Sequence, residues 1–124
     1  MNLVDSSGWL SYLFDEPNAD RFAPAIVNTR ELVVPSIVLL EVYRHLRRSV
    51  GIEVAVRAVS PMQEAQAADL TQDIAILAGE LGNRHNLPLA DSVILATARS
   101  FDATLWTQDS DFEGLEMVEY IPRC

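Results

Sequence analysis

"LVDSSGWLSYL", residues 3–13, sets an aspartate directly after a short apolar run and just before a stretch that reads as helix. Met1 to Val4 has the length and character of a strand, Ser6, Ser7 and Gly8 supply a turn, and Trp9 to Phe14 reads as the helix. An acid at such a junction has two uses. It can cap the helix by accepting a backbone N–H, or it can stand at the end of a strand as part of a site. Strand, acid, helix is the first step of an α/β unit, so the rest of the chain decides whether that step is repeated.

It is repeated. "ELVVP" (31–35) is a second strand candidate, stopped by Pro35, and Ser36 is placed to cap the helix "IVLLEVYRHLRRSV" (37–50), which Gly51 ends. Before it, "EPNADRFAPAIVNT" is interrupted by Pro17 and Pro24 but accommodates a short helix over 20–27. A second amphipathic stretch, 52–59, stops near Pro61. "QAADL" (66–70) reads as a short third strand, with Thr71 capping "QDIAILAGELGNRH". "LPLADSVILATARSF" (87–101) reads as a helix with its proline just inside the start. "ATLWT" (103–107) and "MVEYI" (117–121) complete five strands. Strands separated by helices predict one α/β domain over residues 1–124, with a mostly parallel five-stranded sheet flanked by helices and right-handed crossovers.

Composition removes several functions. All nine basic residues are arginine and lysine is absent, which excludes a Schiff-base or P-loop lysine. Against eighteen acids the formal net charge is −9, so the chain as a whole repels polyanions, and any nucleic-acid contact needs local arginines or bridging cations. The single cysteine, Cys124, cannot close an internal disulfide or build a metal cluster. No basic region precedes an apolar run at the start, and no stretch approaches eighteen apolar residues, so neither a signal peptide nor a membrane span is expected. These features predict a cytoplasmic protein. His45 and His85 are not spaced like zinc ligands.

The acids fall where chemistry can gather them. Asp5 follows the first strand and Asp109, in "TQDSDF", follows the fourth; ligands of open parallel sheets bind beyond the carboxyl ends of strands. Glu41 lies five residues past Ser36, about 7.5 Å along its helix, and the longer glutamate side chain can reach back to that rim. It is the only acid between Val33 and Val42, where a buried charge needs an ion partner or a metal. Asp91, in "PLADSVILA", begins an apolar helix; the helix dipole alone accounts for an acid there, and spacing does not bring it to the rim. Ser6 can cap the first helix and Thr107 can end a strand. Arg44, on the same helical face as Glu41, is a candidate phosphate contact or a salt-bridge partner of Glu41. Arg47 and Arg48 read as solvated charges.

Taken together, "LVDSS", "LLEV", "LPLADSVILATA" and "TQDSDF" resemble, in order and at matching separations, a PIN domain of the VapC toxin ribonuclease type. The resemblance implies a PIN-like three-layer fold and a carboxylate cluster of Asp5, Glu41, Asp91 and Asp109 that holds Mg²⁺ or Mn²⁺ and hydrolyses RNA. It implies supporting roles for Ser6 and Thr107, with Asp111 as the second, more variable acid of the last motif. It also implies an antitoxin partner that blocks the pocket, and a toxin homodimer. Oxygen-only ligands suit these hard cations, and carboxylates sharing one pocket raise each other's pKa values until an ion arrives. Asp5 and Asp109 are expected as direct ligands, with Glu41 and Asp91 acting through water. Two rivals fit less well: a phosphoacceptor receiver needs a lysine, and a haloacid-type phosphatase needs an acid where Ser7 stands. A PIN-like protein-binding module without cleavage is the remaining alternative.

Overall fold

Five short strands, β1 (Asn2–Val4), β2 (Leu32–Pro35), β3 (Gln66–Ala68), β4 (Thr104–Thr107) and β5 (Val118–Tyr120), form one sheet in the order β3-β2-β1-β4-β5. Every neighbouring pair is parallel. The computed structural model describes all residues from Met1 to Cys124. Seven helices connect the strands: α1 (Ser6–Leu13), α2 (Ala19–Val27), α3 (Ser36–Ser49), α4 (Ile52–Ala58), α5 (Ser60–Glu64), α6 (Gln72–His85) and α7 (Leu89–Ser100). Single 3₁₀ turns lie at Thr29–Glu31 and Ser110–Phe112. None of the helices is long and apolar enough to cross a membrane.

Successive strand residues point to opposite faces, so a strand buried at every position must be covered on both. Leu3 and Val4 of β1 are both fully buried, as are Leu32 and Val33 of β2. That pattern requires a layer of helices on each side and gives the three-layer arrangement. One core of Leu3, Val4, Trp9, Phe22, Leu105 and Ile94, among others, fills the space between layers. Helix α7 is the most enclosed of the helices, with Ser92 to Ala98 buried without a break. It packs against α6, α3 and β4, and this brings its first turn, with Asp91, to the carboxyl end of the sheet.

Helix starts differ from the sequence expectation in four places. Helix α1 begins at Ser6 rather than Trp9, because the Asp5 carboxylate caps it by accepting the Gly8 N–H. Gly8 is required there: a Cβ would lie 2.6 Å from Val4 Cγ1 and 2.8 Å from Phe22 Cε1, so only glycine lets the first turn close on β1 and α2. Ser36 is the first residue of α3, not its cap, and its hydroxyl donates to Asp69 across the end of β3 (2.7 Å). Pro61 opens the separate helix α5 instead of only ending the one before, since a proline in a first turn has no N–H to lose. Pro88 stands immediately before α7, which starts at Leu89.

Candidate metal centre

In the order β3-β2-β1-β4-β5, connections leave β1 toward one edge and reach β4 on its other side. The crevice beyond the carboxyl ends of β1 and β4 is the topological switch point, the place where such sheets bind ligands. Asp5 follows β1 and Asp109 follows β4, and the ladder extends one step into this crevice as the Asp5 N–H donates to the Trp106 carbonyl (3.1 Å).

Asp5 is 4 % exposed and fully engaged. Its Oδ1 accepts from Ser7 Oγ (2.7 Å) and Gly8 N (2.9 Å), and its Oδ2 accepts from Thr107 Oγ1 in a short hydrogen bond. Both hydroxyls are polarised in one direction. Ser7 Oγ accepts the Gln108 N–H (3.1 Å) and Thr107 Oγ1 accepts the Asp109 N–H (2.9 Å), so each hydroxyl proton is turned toward Asp5. Burial nevertheless pushes the Asp5 carboxyl above its ordinary range; the three hydrogen bonds offset this only in part, and the Asp109 charge adds to it.

Asp91 is held quite differently. No hydrogen bond supports its carboxylate, and burial, followed by the charges of Asp109, Asp5, Asp111 and Glu41, raises its pKa to about 7. One oxygen each from Asp91, Asp109 and Asp111 lie within 4.8 Å of one another. An all-oxygen donor set of this kind suits a hard divalent cation such as Mg²⁺, which these three residues would hold. Asp109 is steadied by accepting the Asp111 N–H (2.9 Å), which also turns the 3₁₀ segment so that both side chains face the crevice.

Glu41 reaches the same neighbourhood from α3. Burial raises its pKa, with Ser6 lowering and Asp5 raising it by lesser amounts. The Ser6 hydroxyl lies beside the Glu41 carboxylate, whose Oε1 is buried with no partner at all. An unpartnered buried carboxylate oxygen costs free energy that a cation or its water would recover. No ion pair joins Glu41 to Arg44; the single ion pair of the chain is Met1 N to Glu31 (3.5 Å). Instead Glu41, Ser6, Leu10, Arg44, His45 and Arg48 line a groove of about 270 Å³ next to the acids.

Electrostatics thus couples the four acids expected from sequence, while the tightest oxygen triad takes in Asp111, which sequence reasoning ranked as an accessory. Arg48 joins Arg44 in the groove through the four-residue spacing that stacks them on one face of α3, a signal available in the sequence. Ser7 and Gln108 carried no sequence signal.

The sequence model of the PIN domain matches residues 3–116. The chain belongs to the PIN domain family. Three solved structures share this PIN fold. A toxin–antitoxin complex from Klebsiella pneumoniae is 23% identical, with a TM-score of 0.80 over 96% of each chain. The sarcin–ricin-loop-cleaving toxin VapC20 of Mycobacterium tuberculosis is 22% identical, with a TM-score of 0.79 over 98% of this chain and 100% of that one. A DNA-bound VapBC from Salmonella typhimurium is 20% identical, with a TM-score of 0.76 over the whole of both chains. No curated protein matches.

Proposed function

We propose that this PIN domain, acting as one unit over residues 1–124, is a divalent-metal-dependent endoribonuclease and the toxin of a cytoplasmic toxin–antitoxin pair. The convergence of the Asp91, Asp109 and Asp111 oxygens within 4.8 Å, beside Asp5 and Glu41 at the sheet's switch point, carries this reading. Similarity in fold to a toxin that cleaves the sarcin–ricin loop supports the substrate class, and similarity to a chain of a toxin–antitoxin complex supports the partner.

Asp5, Glu41, Asp91 and Asp109 are the acids assigned to catalysis and to Mg²⁺ or Mn²⁺, with Asp111 completing the ligand set. When bound, such an ion lowers the pKa of a water and neutralises charge on the phosphodiester. The chain's own residues do the rest. Thr107 ties Asp5 to the backbone of Asp109, so the ends of β1 and β4 keep a fixed separation. Glu41, with its unpartnered Oε1, is suited to accept a proton from a water or hold it in line, and Asp91 would lend its carboxylate to the ion and its bound water. Ser6 steadies Glu41. Arg44, with Arg48 and His45, offers unpaired donors to the RNA backbone, which an acidic chain otherwise repels. An apolar groove of about 370 Å³ lined by Leu39, Leu40, Tyr43, Val56 and Val59 supports a protein partner, antitoxin or second copy in a homodimer.

The test is cleavage of a structured RNA in Mg²⁺ or Mn²⁺. Wild type is expected to cleave, and Asp5→Asn to be slower by roughly 10²–10³-fold, the cost of one lost electrostatic group in a preorganised site. Equal rates would remove Asp5 from the mechanism, and no cleavage by either in any divalent ion would favour the protein-binding module.

A further inference from the structure

Asn18 occupies the residue before α2, where asparagine usually caps the helix with its side chain, yet it makes no such bond. The side chain is spent elsewhere. Its Nδ2 donates to Gln108 Oε1 (2.7 Å), 90 residues away, and to the Pro122 carbonyl (2.9 Å). Its Oδ1 accepts from Cys124 Sγ (3.2 Å). Gln108 passes the connection inward. Its Nε2 donates to the Ser7 carbonyl (3.2 Å) while its backbone N–H donates to Ser7 Oγ, the hydroxyl that in turn donates to Asp5 Oδ1. Asn18 and Gln108 are 4 % and 6 % exposed, so water does not compete for these bonds.

An amide suits the middle position because it carries a donor and an acceptor on one rigid plane. Gln108 must accept from Asn18 on one side and donate to Ser7 on the other. A carboxylate cannot donate, an apolar side chain does neither, and a serine or threonine hydroxyl is too short to span the two partners. Gripped at main chain and side chain together, the Ser7 turn is held in place, and the Ser7 hydroxyl keeps donating to Asp5. We propose that Gln108, locked by Asn18, is a positioning residue that fixes the Asp5 carboxylate for metal binding. The connection Pro122/Cys124–Asn18–Gln108–Ser7–Asp5 is the structural basis. The Asn18 and Gln108 amides bond to each other, to the C-terminal residues and to Ser7, and to none of the acids, so their influence is transmitted through Ser7. The inference rests on the metal-site reading above.

The experiment measures Mn²⁺ affinity of the full chain by calorimetry, with melting of the metal-free protein recorded alongside. Gln108→Met keeps the length and removes both polar atoms; Asn18→Ala removes the lock from a more distant position. Each is expected to weaken Mn²⁺ binding by about tenfold, as outer partners of metal ligands typically do. The double variant is expected to lose no more than the worse single variant, because the two residues act in series. A merely structural role would lower melting temperature and leave the affinity of the folded protein at the wild-type value, and that result overturns the proposal. If Gln108→Met fails to fold, the affinity of Asn18→Ala decides the matter in the same way. Wild type that binds no Mn²⁺ overturns the metal site itself, which separates the two failures.

Discussion

The two flanks of the crevice hold their carboxylates in opposite ways. On the β1 flank, Asp5 is buried and receives three hydrogen bonds, two of them from hydroxyls oriented by backbone N–H groups. On the α7 flank, Asp91 is half-buried, receives none, and faces Asp109 and Asp111 at metal-ligand separation. Asp5 is therefore part of the folded framework whether or not an ion is present. Asp91 is a cost carried by the metal-free protein. Sequence position gives no hint of this difference, since each acid stands at or next to the start of a helix. The protein environment makes one a strut and the other an uncompensated charge.

The same substitution at both positions should move stability in opposite directions. Asp5→Ala removes the α1 cap and strands buried donors, and is expected to lower the stability of the metal-free protein by about 1–2 kcal/mol, the usual worth of an N-cap. Asp91→Ala removes a repelled charge from the first turn of α7 and is expected to raise the melting temperature at pH 8. Thermal melts in chelator check both. Shifts of the same sign would break the distinction between the flanks.

Acidity gives a second, smaller handle. Asp91 titrates near 3.8 when unfolded and at about 7 when folded, so between these values the folded chain holds more protons than the unfolded one. Stability of the metal-free protein should then fall as pH rises from about 4 to 7, the reverse of a salt-bridged acid. Asp5 and Glu41, also raised, act in the same direction. Mn²⁺ added at pH 8 should restore the loss, since it binds the folded state. Asp91→Ala should flatten the pH profile, leaving the residual slope of Asp5 and Glu41. A melting temperature that rises over this range would contradict the environment assigned to Asp91.

Much of this is legible in the sequence. The strand–acid junctions at Asp5 and Asp109 were visible because a strand ending and a helix beginning are local events, written in neighbouring residues. Strand order was not, because the pairing of β1 with both β2 and β4 joins segments about thirty and a hundred residues apart. The switch point that explains why Asp5 and Asp109 share a crevice emerged only with that order. Asp91 was recognisable as a first-turn acid, yet its approach depends on how α7 packs, which periodicity does not encode. Asp111 was underrated because an exposed acid beside a turn is commonplace, and only the 3₁₀ turn after β4 aims it. The Asn18–Gln108 pair was invisible, since two unremarkable amides acquire meaning only by meeting.

The smallest expected effect concerns charge rather than stability, and it extends the contrast to RNA. Arg44 and Arg48 belong to the β1 flank, lining the groove that holds Glu41 and Ser6, and no carboxylate pairs with either. Their attraction for a phosphate is built in and needs no ion, whereas the α7 flank presents only acids. RNA binding measured in chelator should therefore depend on the arginines. Each of Arg44→Gln and Arg48→Gln is expected to weaken binding a few-fold and to reduce the salt dependence of affinity by about one counterion, the signature of one lost phosphate contact. Adding Mg²⁺ should strengthen binding by the same factor in wild type and in the arginine variants, because the ion is held by the acids and not by the arginines. Asp91→Ala should show the converse, with unchanged or tighter binding in chelator and a diminished gain from Mg²⁺. If the arginine variants lost their Mg²⁺ response as well, the two flanks would be one electrostatic unit, and the division between framework and ion-dependent charge would have to be redrawn.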